Sequence, residues 1–181
     1  MKISATSLRR LIKEEIAISL SSVSEMPQQQ MSVNDDLVLW LGSIMCCRDW
    51  FHGAHFVTKG PTFGGDHVNV FGRIYSDIES SFDSDVEKAV GVTGDINVAC
   101  PQKLSEFAIA SMQRYPSPCT LSADDLATTG LALVKDHIAL VEELFKKLES
   151  TNGLTLGLND HLSGQANDYE TFVYLLQQRS N

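Results

Sequence analysis

Four long stretches of this sequence repeat apolar residues at intervals of three and four, and no segment sustains the strict alternation of a half-buried strand. Trp40, Ile44, Cys47, Phe51 and His55 share one helical stripe, and Phe71, Ile74, Ile78, Phe82 and Ala89 a second. Leu131, Val134, Ile138, Val141, Phe145 and Leu148 form a third, and Leu162, Ala166, Tyr169, Val173 and Leu176 a fourth. A helix with one apolar stripe has to bury it against a neighbour. The expected fold is therefore all-α.

Local signals mark where the helices begin and end. Asn34 is the expected N-cap of the first, with Asp35 and Asp36 in its first turn. Lys59-Gly60-Pro61 stops it, because Pro61 lacks an amide proton and restricts the residue before it. The second helix is expected from near Asp66 to the turn at 91–95. The third starts around Ser122, with Asp124 and Asp125 at its positive end. The run 151–160 breaks the rhythm, and the last helix is expected from about Asp160 to Arg179. Residues 102–113 read as a short helix inside the connection between the two pairs. A connection of about 30 residues between helix pairs implies a ferritin-like four-helix bundle with a short helix in its long crossover, rather than simple up-down hairpins.

The chain of 181 residues is long enough for one core-forming domain. Residues 1–31 read as an N-terminal amphipathic helix and linker. Leu8, Ile12, Ile16 and Leu20 recur every four residues within 3–20, and a polar run containing Pro27 follows. Residues 32–181 form the body. Nothing approaches the roughly 18 consecutive apolar residues of a membrane span. Glu14 and Glu15 interrupt the start as a secretory signal, so the expected location is cytoplasmic. Net charge is −9, and residues 1–30 carry one positive charge in excess, leaving the remainder at −10. An acidic body repels nucleic acid and suits a protein that concentrates cations. Cys46, Cys47, Cys100 and Cys119 include no CxxC pair and read as small buried thiols.

The metal-capable side chains gather in the first two helices. His55 ends one, His67 opens the next, and Asp83 and Glu87 sit one turn apart on a shared face. Imidazole with carboxylate suits non-haem iron. The same residues also read as solvated surface acids and a helix-end histidine. His52, one turn before His55, is either an extra ligand or an interface histidine. Asp124, Asp125, Asp136 and Asp160 either line pores or serve as helix-start and solvated acids. His137 and His161 have no partner visible in the sequence and are expected to be structural.

The run His55-Phe-Val-Thr-Lys-Gly-Pro-Thr-Phe63, followed by His67, resembles the signature of the Dps-type mini-ferritins around their first ligand histidine. In that family the histidine is usually followed by Trp-Asn-Val, a basic residue and Gly, then an aromatic and a second histidine. The similarity continues through Gln113-Arg-Tyr-Pro and Asp160-His-Leu-Ser-Gly, covering roughly residues 34–179. It implies a hollow homo-oligomer, a dodecamer, with iron sites at two-fold interfaces. His55 and His67 would come from one subunit, and Asp83 and Glu87 from its neighbour. Ferrous iron, as a di-iron or mononuclear centre, would be oxidised there by hydrogen peroxide or oxygen and stored as ferric mineral. No ExxH sequence occurs, so the di-iron site that larger ferritins build inside one bundle is not available.

Two departures stand out. Phe71 occupies the place where the family usually has a further aspartate, for which Asp66 is a possible substitute. The His67-to-Asp83 interval is also one residue longer than usual. One added residue turns a regular helix by about 100°, so either a π-bulge absorbs it or the ligand set is altered. The alternative is a catalytically reduced shell or scaffold that docks a protein partner through residues 3–20. DNA binding through that weakly basic segment is expected to be weak.

Overall fold

A computed structural model describes residues 32–180, and the expectations for residues 1–31 lie outside them. The described residues are all-helical, with five α-helices: α1 Val33–Val57, α2 Arg73–Thr93, α3 Pro101–Met112, α4 Ala123–Ser150 and α5 Leu156–Ser180. A π-helix, Gly65–Gly72, runs directly into α2, and short 3₁₀ turns, Ile96–Ala99 and Pro118–Thr120, flank α3. No described helix is long and apolar enough to cross a membrane.

The first helix is capped two residues before the expected position. Ser32 is the N-cap and makes a capping box with Asp35, each accepting from the other's backbone amide. Asn34 lies inside the helix and donates its amide to Asp95 instead. Ser122 caps α4 as expected, and Gly94 ends α2 in the left-handed region open to glycine. The last helix starts four residues early. Thr155 accepts the amide of Leu158 on its hydroxyl and that of Asn159 on its carbonyl. Helix α5 thereby begins inside a stretch that reads as loop because of Gly153 and Gly157.

Helix α1 is the hub and packs against α2, α3 and α4, while α4 packs against α5. Contacts run in opposite residue order between neighbours, Arg48 to Glu79 but His55 to Tyr75, so α1 and α2 are antiparallel. Two glycines set the spacing. A Cβ on Gly42 would lie 2.6 Å from Phe107 Cβ on α3, and one on Gly130 of α4 would lie 2.8 Å from the Phe51 ring. Trp40, Trp50, Phe51 and Phe71 fill the core, with Phe51 and Phe71 stacked. Burial of the apolar stripes is the main stabilising term.

Two of the expected stripes are displaced. On α4 the buried line runs through Leu126, Gly130, Leu133, His137, Val141, Leu144 and Leu148, whereas Leu131, Ile138 and Phe145 stand at its edge. On α5 Gln165 and Phe172 are buried, and Ala166 and Val173 are only partly so. In both helices a polar side chain occupies the centre of the core-facing line.

Candidate functional site

The π-helix Gly65–Gly72 holds His67. Its wider turn also brings two imidazoles together: the rings of His55 and His67 stack with centroids 3.7 Å apart and planes 17° from parallel. Each ring is tied to the other residue's main chain. His55 Nδ1 lies 2.7 Å from the His67 carbonyl oxygen, and His67 Nδ1 lies 2.9 Å from the His55 carbonyl oxygen. A carbonyl only accepts, so both Nδ1 atoms carry the proton. In the neutral rings both Nε2 atoms then present lone pairs, the tautomer a metal ligand needs.

Gly72 makes this arrangement possible. A Cβ there would lie 2.3 Å from the His67 carbonyl oxygen and 3.0 Å from His55 Nδ1. Position 72 thus faces the histidines, and it has no side chain. Phe71 is fully buried against Phe51. Asp66 is also buried, with Oδ1 accepting from Arg179 at 2.7 Å while Arg179 also reaches Asp124. That ion pair ties the end of α5 to the starts of the π-helix and α4. Asp66 therefore carries a structural bond in this chain.

Around the histidines the surface is aromatic. His52 stacks on Tyr75 at 4.3 Å and lies tilted against Phe56 at 4.4 Å, and Phe63 stacks on His67 at 4.8 Å. Phe56 is 69% exposed and Val68 61%. Asp83 and Glu87 are exposed on α2, beside a groove of about 310 Å³ lined by Met45, Phe82, Val86 and Leu104. Between them and the histidines lies Arg48, paired with Asp49 and Glu79 and placed over the Phe82 ring. Eleven to fifteen residues of α2 separate Gly72 from the acids, a rise of roughly 16–22 Å. One chain cannot close these four groups on a single ion, and among the described residues no cluster of three or more His, Cys, Asp or Glu is placed to hold a metal.

A second polar constellation gives His137 and His161, expected to be structural with no visible partner, their partners. Asp85 of α2 is buried and accepts from His161 Nε2 at 2.7 Å and from Gln165 Nε2 at 3.1 Å. Gln165 Oε1 accepts from Trp40 Nε1 at 2.7 Å and faces His137 Nε2 at 3.4 Å. His137 Nδ1, left as the acceptor, takes the Ser43 hydroxyl at 2.9 Å. This chain of bonds joins α1, α2, α4 and α5. Desolvation lowers the His137 pKa to about 4, keeping the ring neutral. Burial raises that of Asp85, and the His161 bond opposes the rise. The sequence signal was present: Asp85, His137 and Gln165 each fall in register with their helix's apolar line.

Of the four acids that the sequence offered for pores, Asp160 lines a groove between α2 and α5, and the other three are paired, Asp124 with Arg179. Asp125 bonds the Ser122 cap, and Asp136 accepts from Arg114 and Tyr115. Cys46 and Cys47 are buried, which pushes the Cys46 thiol up to about 12 and that of Cys47 well above its usual value; Cys119 is exposed. Against family models, curated protein sequences and solved structures, the chain finds no match in any of the three.

Proposed function

We propose that this chain is a ferritin-like, Dps-type subunit that takes up ferrous iron at an interface between two copies of itself. The observation that carries the reading is the reciprocal carbonyl bonding of His55 and His67, which fixes both Nδ1–H tautomers and points lone-pair chemistry outward from Nε2. Imidazole of that kind, with the Asp83 and Glu87 carboxylates of a second copy, makes a nitrogen–oxygen donor set suited to iron. The face shared by α1 and α2 supports a two-fold arrangement. It carries the exposed aromatic cluster of Phe56 and Phe63 at one end and the apolar groove beside Asp83 and Glu87 at the other. Pairing two such faces antiparallel about a two-fold axis covers both, as an isologous contact requires.

Iron is the substrate. Each ferrous ion gives up one electron, and peroxide takes two while its O–O bond breaks to give water or hydroxide. The ferric product then moves on as mineral in a hollow shell, for which the dodecamer is the proposed size. Residues 3–20 would dock a partner or the shell itself.

A second reading is favoured by Gly72 and by the Asp66–Arg179 pair: with no carboxylate from the π-helix facing the histidines, the interface binds metal without oxidising it fast. Anaerobic titration with ferrous iron followed by peroxide separates the two. Saturable binding with ferric absorbance rising on peroxide addition supports the enzyme. Saturable binding without that absorbance supports the shell reading. Iron binding unaffected by His55→Ala together with His67→Ala removes both, as does a protein that sediments only as a monomer.

A further inference from the structure

A cavity of about 540 Å³ forms a groove between α2 and α5. It lies on the opposite side of α2 from Asp83 and Glu87, since Asp85 is two residues from each and about 200° around the helix. Its volume is that of small-molecule sites, roughly 300–1,000 Å³. The groove has an acidic rim, an apolar wall and a polar floor.

The floor holds two unpartnered groups. Asp85 Oδ2 is buried and bonds to nothing among the described residues, although Oδ1 of the same carboxylate is doubly bonded. The Tyr169 hydroxyl is likewise buried without a partner. Both residues line the groove. The Ser81 hydroxyl, close enough to favour the charged carboxylate, donates to the Ile78 carbonyl. Buried polar atoms without partners are costly, and a ligand that supplied the missing bonds would be favoured there.

The acidic lining favours a donor with positive charge. Asp160 and Asp168 stand at the rim, where Arg73 is held by Asp77 at 3.5 Å. An ammonium group needs only acceptors, and an organic body can lie along Ile78 and Phe172. We propose that this groove binds a small primary amine, its ammonium donating to Asp85 and Tyr169 at the floor. The site is independent of the iron reading.

The test is calorimetric titration of the full chain with n-butylamine at 0.15 M sodium chloride, with n-butanol as the uncharged control. The expected result is saturable binding of one amine per chain and none of the alcohol. Asp85→Asn should weaken the amine at least tenfold. Because that change also touches the buried chain of bonds, Gly164→Leu provides the cleaner variant. A Cβ at Gly164 meets no atom within 4 Å, so the leucine projects into the groove while the fold is kept. It should abolish amine binding with the melting temperature unchanged or raised. Heats no different from those of butanol would overturn the proposal. Undiminished binding in Gly164→Leu would also overturn it, as would displacement of the amine by equimolar manganese(II).

Discussion

The two histidine-bearing regions of this molecule are built on opposite principles. At the surface, His55 and His67 satisfy one nitrogen each against backbone carbonyls and leave the other open. In the interior, His137 spends both nitrogens, on Ser43 and Gln165, and burial holds it neutral. The first arrangement keeps coordination capacity in reserve; the second converts polar side chains into cross-links among four helices. The location of a histidine's partners, more than its depth alone, decides whether the ring is free for chemistry.

The contrast is broken most severely at the hub of the interior chain. Gln165→Leu orphans the Trp40 indole N–H and removes one donor to Asp85, and should lower stability by about 3 kcal/mol in urea denaturation. A loss below about 1 kcal/mol would show that the network is only loosely formed. Protonation probes the same region without mutation. The folded-state pKa of His137 is depressed to about 4 from 6.5, so the unfolded chain binds more protons between those values. The associated stability is therefore full above pH 6.5 and lost as pH falls toward 4, at most about 3 kcal/mol. His137→Gln should flatten that part of the stability curve.

At the surface the expected ordering reverses, with small stability effects and large binding ones. Gly72→Ala places a methyl against the His67 carbonyl and His55 and should cost about 2 kcal/mol while weakening ferrous-iron binding at least tenfold. His55→Ala removes a half-buried ring and should change stability by less than about 1 kcal/mol, with iron binding again reduced tenfold or more. If His55→Ala proved as destabilising as Gln165→Leu, the two regions would not differ in kind.

The same contrast explains what could be read without coordinates. Apolar periodicity located every long helix, and Ser122 and Pro61 punctuated them as local chemistry requires. The start of α5 was hidden because Thr155 caps it from within a glycine-containing run. The histidine pair was legible because its residues are contiguous with a recognisable block of sequence. Its reciprocal bonding was not, since it depends on a π-turn and on the absence of a Cβ at Gly72. The interior chain was missed for a different reason. His137 and Gln165 sit where an apolar side chain is expected, and a pattern search scores them as interruptions of a stripe rather than as its centre.

The cysteines carry a practical consequence. With Cys46 and Cys47 enclosed and kept as thiols, and Cys100 half-covered and bonded to the Gln102 side chain, a maleimide reagent at neutral pH meets Cys119 first. That residue follows Pro118, which packs over Gly53 on α1. A dye attached there reports from beside α1, on wild-type protein and with no engineered handle.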